Sequence, residues 1–126
     1  MMSQTLQNED DIYLAICKIK YLMNDLPFSD VQVQCVVVSL MEICRNALIH
    51  GGGTRQFICE RVNKGVRFIV SDHGTGIHNI EEILNGHFES DSGLGLGISV
   101  TKRLMDEVRI DTSAKGTKIS AIKRYD

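Results

Sequence analysis

Glu42 and Asn46 stand four residues apart, a spacing that puts both side chains on one face of a helix, one turn from each other. The stretch around them is apolar, and a carboxylate and an amide on a buried helix must find partners or cost on the order of several kcal/mol. Two readings follow. The pair is the solvent stripe of the helix with Arg45 as an ion-pair partner, or it is a carboxylate base beside an amide oxygen able to ligate a hard cation. Asp72-His73-Gly74-Thr75-Gly76 directly follows a β-rich run. An acid followed by alternating glycines lets a ligand approach the backbone closely, and equally makes an ordinary tight turn. Ser92-Gly93-Leu94-Gly95-Leu96-Gly97 opens an amphipathic helical pattern. Glycines at a helix start offer free N–H groups and the positive dipole end, so phosphate is the natural guest. No Gly-Lys-Ser/Thr follows, which excludes the P-loop, and G-x-G-x-G after a non-strand segment is not the dinucleotide fingerprint. Gly116-Thr117 sits at a late turn, where glycine is uninformative alone.

The elements that must position these residues are legible in outline. A helix is predicted from near Asp10 or Asp11, with Ile12, Ile16, Ile19, Leu22 and Met23 at helical spacing, ending before Pro27. Ser29 and Gln32 form a capping box, and Phe28 and Val33 a hydrophobic staple, for a second helix from Val33 to Ile49. That helix is apolar nearly all round and so largely buried. Arg55 to Val62 and Val66 to Ser71 read as strands joined by Asn63-Lys64-Gly65. After a glycine-punctuated stretch with a short helical possibility at Asn79 to Leu84, a third helix runs from about Leu96 to Asp106. Val108 to Thr112 and Thr117 to Lys123 form a second hairpin around Ser113 to Gly116. Helices and segregated hairpins in this order predict an α+β fold, a two-layer α/β sandwich with a mixed or antiparallel sheet and helices on one face.

Bulk properties narrow the function classes. The 126 residues suit one domain covering 1–126, and 43% hydrophobic with 24% charged residues is the make-up of an ordinary globular protein. A net charge of −2 gives no electrostatic case for nucleic acid or an anionic membrane. The polar, acidic start, Met1 to Asp11, is unlike a secretory signal. No long apolar run is evident, so no membrane-spanning helix is expected. The cysteines, Cys17, Cys35, Cys44 and Cys59, form no C-x-x-C pair. Each lies in an apolar stretch and is expected to be a small buried thiol in a reducing, cytoplasmic compartment.

Together, E-x-x-x-N on a helix, D-x-G-x-G after a strand, G-x-G-x-G before a helix and a late G-T resemble the GHKL ATPases. The resemblance covers residues from about 10 to 123. It implies a Bergerat-type ATP-binding fold using ATP and Mg²⁺. In it Asp72 accepts from the adenine amino group, Gly74 and Gly76 bring the backbone close to the base, and Thr117 assists through water. Asn46 ligates Mg²⁺, the amides of Gly93, Leu94, Gly95, Leu96 and Gly97 cradle the phosphates, and Glu42 is the general base. A short stretch, Ile77 to Ser92, and the wording of Asn46-Ala47-Leu48-Ile49-His50-Gly51 and Val100 to Glu107 are similar to the anti-sigma-factor and stress-signalling switch-protein serine kinases. That implies transfer of the ATP γ-phosphoryl to a serine or threonine of a STAS-domain antagonist, with exchange against a sigma factor or regulatory phosphatase. A homodimer through the N-terminal helix is one option. The second reading is a nucleotide-gated binding module with weak or no kinase activity. His50 is expected as a polar helix end rather than as a support for Asn46. The segment Ile77 to Ser92 contains no lysine or arginine to clamp the γ-phosphate.

Overall fold

Asn8 starts the first helix. Its side-chain oxygen accepts from the Asp11 amide at 3.2 Å and Asp11 Oδ2 accepts from the Asn8 amide at 3.4 Å, so an Asn/Asp pair closes the capping box. Helix α1 therefore spans Glu9–Met23, opening slightly ahead of the start read from the apolar spacing. The next box is the predicted one. The Ser29 hydroxyl accepts from the Gln32 amide at 3.1 Å while Gln32 Oε1 accepts from the Ser29 amide at 2.9 Å, and α2 spans Asp30–His50. Phe28 and Val33 both pack against the core. The computed structural model describes residues 1–77 and 94–125, the first two of the second span by backbone alone; the helical possibility at 79–84 lies outside them.

By length and composition α2 is apolar enough to cross a membrane, with a mean hydropathy of 1.3 over its best window. Core helices share that property. Here Val36, Leu40, Ile43 and Ala47 are buried against the rest of the protein.

The sheet has five strands in the order β1-β2-β3-β5-β4, every neighbouring pair antiparallel. Strands β2 (Gln56–Val62) and β3 (Gly65–Asp72) form the first predicted hairpin, and β4 (Glu107–Ser113) and β5 (Gly116–Arg124) the second. Between the hairpins, α3 runs Leu94–Leu104, shifted about a half-turn toward the N-terminus from its predicted bounds. It stops where Lys123 Nζ donates to the Leu104 carbonyl at 2.8 Å and pairs with Asp106 at 3.6 Å. Strand β1 (Met2–Thr5) was not foreseen. Four residues give too little alternation to register as a strand; the unpaired edge of β2 makes it one, from Met2 opposite Cys59 to Thr5 opposite Gln56.

Alternation splits the sheet into two unlike faces. Phe57 and Cys59 of β2, Val66, Phe68 and Val70 of β3, and Ile119 and Ala121 of β5 are buried beneath α1 and α2. The opposite face carries ion pairs, Glu60 with Arg67, Glu107 with Arg124, and Arg109 with Asp111. A sheet apolar on one face and charged on the other is the two-layer α+β arrangement expected.

Candidate functional site

The strand register lays the inner face out in rows. Phe68, Ala121 and Val108 stand side by side, then Val70, Ile119 and Ile110, and then Asp72, Thr117 and Thr112. The last row is polar. It lies where the carboxyl end of α2 meets the sheet, and the space between them is a solvent-open cleft. Asn46 and His50 of α2, Asp72, Gly76, Ile77 and Thr117 line it, with Ile43, Val70 and Ile119 as apolar wall. Asn46, Asp72, Gly76 and Thr117, picked from three separate motifs, thus share one cavity.

Local bonding holds this end in shape. Asp72 Oδ1 accepts from the Gly74 amide at 2.7 Å, leaving Oδ2 beside Gly51. A Cβ on Gly51 would lie 2.8 Å from that oxygen, so only glycine lets the end of α2 press against the carboxylate. Gly76 has φ +85°, and a Cβ there would meet the Ser113 carbonyl at 2.2 Å. At Gly76 the absent side chain lets the Ser113 backbone approach, which is chain packing rather than approach by a ligand. Thr117 is buried, and its Oγ1 lies 2.9 Å from Thr112 Oγ1, which accepts from the Ile77 amide at 2.8 Å.

Two contributors were missed in the sequence. Thr112 had a signal: once the turn is placed at Ala114-Lys115, the hairpin puts Thr112 opposite Thr117. Arg55 had none. Its Nε donates to the Ala47 carbonyl at 2.6 Å and its Nη2 to the Gly51 carbonyl at 3.2 Å, a cation on the negative end of α2 that ties the helix terminus next to Asp72.

The other end of the site forms where α3 crosses α2. A Cβ on Gly97 would come within 3.0 Å of Glu42 Oε2 and 3.1 Å of Asn46 Nδ2. Glu42 and Asn46 thus face the first turn of α3, which contains Leu94, Gly95, Leu96 and Gly97; Gly93 lies outside the described residues. The first amides of a helix have no partner within it. Thr101 fastens this turn, its hydroxyl donating to the Gly97 carbonyl at 2.9 Å. Asn46 is 8% exposed, and its Nδ2 has no hydrogen-bond partner among the described residues. A buried amide so placed costs about 1–3 kcal/mol unless a ligand or water meets it. Ser39 Oγ, two turns back on the same helix, and Gln4 Oε1 share that condition but lie outside the cleft lining. The unpaired Asn46 Nδ2 donor and the helix-start N–H groups suit a phosphate chain, and the Asn46 oxygen and the Glu42 carboxylate beside them suit a hard divalent cation.

Arg45 is settled differently. It pairs with Glu9 of α1 at 3.7 Å, so it is not the partner of Glu42 in the solvent-stripe reading, and Glu42 is half-buried. His50 is exposed at the helix end and makes no hydrogen bond to Asn46 among the described residues. The cysteine expectation holds for two of the positions only. Cys44 and Cys59 are buried, and burial pushes their thiols up to about 12 and about 11. Cys35 is half-buried and Cys17 is exposed, on the outer side of α1.

Residues 11–123 match the family model of the histidine kinase-like ATPase domain. The chain is 32% identical over 123 residues to serine/threonine-protein kinase RsbT of Bacillus subtilis (strain 168), covering 94% of this chain and 92% of that protein. It is 30% identical over 102 residues to anti-sigma F factor of Clostridium novyi (strain NT), covering 74% and 71%. Among solved structures, the RsbU and RsbW domains of a Mycobacterium tuberculosis protein superpose with a TM-score of 0.70 at 18% identity, over 98% of this chain and 32% of that one. The catalytic domain of histidine kinase ThkA does so with a TM-score of 0.63 at 15% identity, over 99% and 97%. At such identities these structures speak for the fold, and the sequence matches speak for the family. The cleft between α2 and the sheet is accordingly that of a histidine kinase-like ATPase domain, the family to which this chain belongs.

Proposed function

We propose that the chain is an ATP-dependent protein serine/threonine kinase of the switch type, acting on a STAS-domain antagonist in the cytoplasm. In this reading it also binds a second partner, a sigma factor or a regulatory phosphatase, and exchanges it for the antagonist. The observation that carries the proposal is the convergence of Glu42 Oε2 and the unpaired Asn46 amide on side-chain-free Gly97 at the start of α3. Nucleotide binding by itself has no use for a carboxylate there; transfer to a hydroxyl does. The relatives named a serine/threonine-protein kinase and an anti-sigma factor support the kinase activity and a sigma factor as partner.

Each residue then has a task. Asp72 Oδ2, the oxygen not used by Gly74, accepts from the adenine amino group. Thr117 addresses the neighbouring edge of the base, and the Gly76 backbone lies along the ring. The amides at Leu94 to Gly97, with Gly93 ahead of them, receive phosphate oxygens. Asn46 would hold Mg²⁺, which when bound neutralises charge on the phosphates. Glu42 accepts the proton of the attacking serine or threonine hydroxyl as its oxygen bonds to the γ-phosphorus and the bond to the ADP oxygen breaks.

The test is Glu42→Gln, which keeps size and hydrogen bonding but removes the base. ATP affinity should stay within about twofold, while phosphate transfer to the antagonist falls by about 10²-fold or more. Unchanged transfer would remove Glu42 from the chemistry.

A further inference from the structure

Thr112 does not line the cleft, yet it touches three parts of it. It stands directly opposite Thr117 across β4 and β5. Its Oγ1 accepts from the Ile77 amide at 2.8 Å and lies 2.9 Å from Thr117 Oγ1. A Cβ on Gly76 would sit 2.9 Å from the same oxygen.

A hydroxyl has one hydrogen to donate and two lone pairs to accept with. The Ile77 amide occupies one lone pair of Thr112. If Thr117 donated into the other, the Thr112 hydrogen would need an acceptor of its own, and among the described residues the Thr117 oxygen is its one partner. Thr112 is half-buried and Thr117 buried, and the distance alone admits either hydroxyl as the donor. With Thr112 as the donor the hydrogen bonds run in one direction, from the Ile77 amide to Thr112, and from Thr112 to Thr117. Thr117 is left holding its own hydrogen, and the cleft is where it lies.

We propose that Thr112 is a positioning residue that orients the Thr117 hydroxyl as a donor toward the base. The proposal rests on the reading that this cleft takes ATP. Asp72 and Thr117 are directly paired across β3 and β5, so they present an acceptor and a donor side by side. Adenine offers the complement on one edge, its 6-amino hydrogens and the N1 lone pair. Guanine offers the reverse, an O6 lone pair and an N1–H. A water between Thr117 and the base keeps the polarity, because it accepts from Thr117 and donates onward. The base preference of the site thus depends on a side chain that never meets the base.

The experiment measures binding of ATP and of 1-deazaadenosine triphosphate, which has C–H in place of N1, to the full chain and to Thr112→Val and Thr112→Ser. Wild type should lose about tenfold in affinity on going from ATP to the deaza analogue, about one hydrogen bond's worth. Thr112→Val should bind ATP about tenfold more weakly than wild type and bind the analogue no worse, so that the two losses do not add. Thr112→Ser should recover ATP binding to within about twofold. In turnover the Thr112→Val loss should appear in KM, with kcat within about twofold. In nucleotide-free protein the Ile77 amide of Thr112→Val should exchange faster while amides of β3 keep their protection. Equal losses by Thr112→Val on both ligands, or no recovery in Thr112→Ser, would overturn the role. Should Thr112→Val not fold, Thr112→Ala is read by the same criteria. Failure of wild type to bind ATP would overturn the nucleotide reading instead, whereas wild-type binding with unaltered Thr112→Val binding overturns the Thr112 role alone.

Discussion

The two ends of the cleft are built on opposite principles. At the Asp72 end polar groups are already bonded to one another: Asp72 Oδ1 with the Gly74 amide, and Thr117 with Thr112, which in turn holds Ile77. At the Glu42 end they are not. Asn46 Nδ2 has no partner, and Glu42 makes no hydrogen bond among the described residues. Both ends hang on the same helix, α2, one near its carboxyl terminus and the other on the face toward α3. The difference follows the chemistry proposed for each. A rigid heterocycle is selected by prearranged donors and acceptors, which lose little entropy on binding. A charged phosphate chain with its cation brings its own strong partners, and groups left unmatched in the free protein are available to meet them.

Removing the base at Glu42 has the largest expected effect, because it should abolish transfer without touching the prearranged end. Asp72→Asn breaks the comparison from the other side. The amide oxygen can still accept from Gly74, so the turn survives, but the acceptor facing the base becomes a donor. ATP affinity should fall by about thirtyfold, the loss of one charge-assisted hydrogen bond. Calorimetric titration measures the fall directly, and a shrunken rise in Tm with Mg-ATP accompanies it.

Gly97→Ala sharpens the contrast by separating stability from function. The added Cβ would approach Glu42 Oε2 at 3.0 Å and Asn46 Nδ2 at 3.1 Å, both at the ends of side chains that can swing away. Alanine also favours helix over glycine by up to about 1 kcal/mol. Tm should hold or rise while transfer drops about tenfold. A fall in both together would mean that α3 packs on α2 more rigidly than the free amide implies.

Alkaline pH should weaken both ends alike, because each depends on α2. Cys44 lies in that helix, and burial pushes its thiol from 9.0 to about 12. Between those values the unfolded chain gives up the proton and the folded one keeps it. The folded state then binds more protons, and stability falls as pH rises from about 9. A thermal series from pH 8 to 11 should show Tm declining, less steeply in Cys44→Ala.

Arg45→Ala should do least. Its partner Glu9 is 64% exposed and Arg45 itself 39%, so solvent screens the pair and the change in stability should stay within a few tenths of a kcal/mol. ATP affinity should remain within about twofold; a larger loss would move Arg45 into the site.

Much of this site was legible before any fold was drawn, for particular reasons. Glu42 and Asn46 share a helix face by spacing alone. Glycines after an acid and ahead of a helix announce close backbone approach, and Gly76 against Ser113, with Gly97 against Asn46, show what approaches. Ser29 and Gln32 announced α2 through bonds that span a few residues. Arg55, by contrast, works through carbonyls of a helix it does not belong to, and no local pattern encodes that. Cys17 and Cys59 lie in similar apolar stretches, yet one faces solvent and the other the core.

The residue pattern by itself determined which groups could do chemistry, which elements would bear them and which family they resemble, since capping, periodicity and glycine geometry act over one or two helical turns. Tertiary structure decided the rest. It made Met2–Thr5 a strand by offering the edge of β2. It gave Arg45 to Glu9 rather than to Glu42. It set Asp72, Thr117 and Thr112 in one row, so that a hydroxyl outside the cleft meets one inside it. Those outcomes depend on pairings between distant segments, whose partners exist only once the sheet and its helices have assembled.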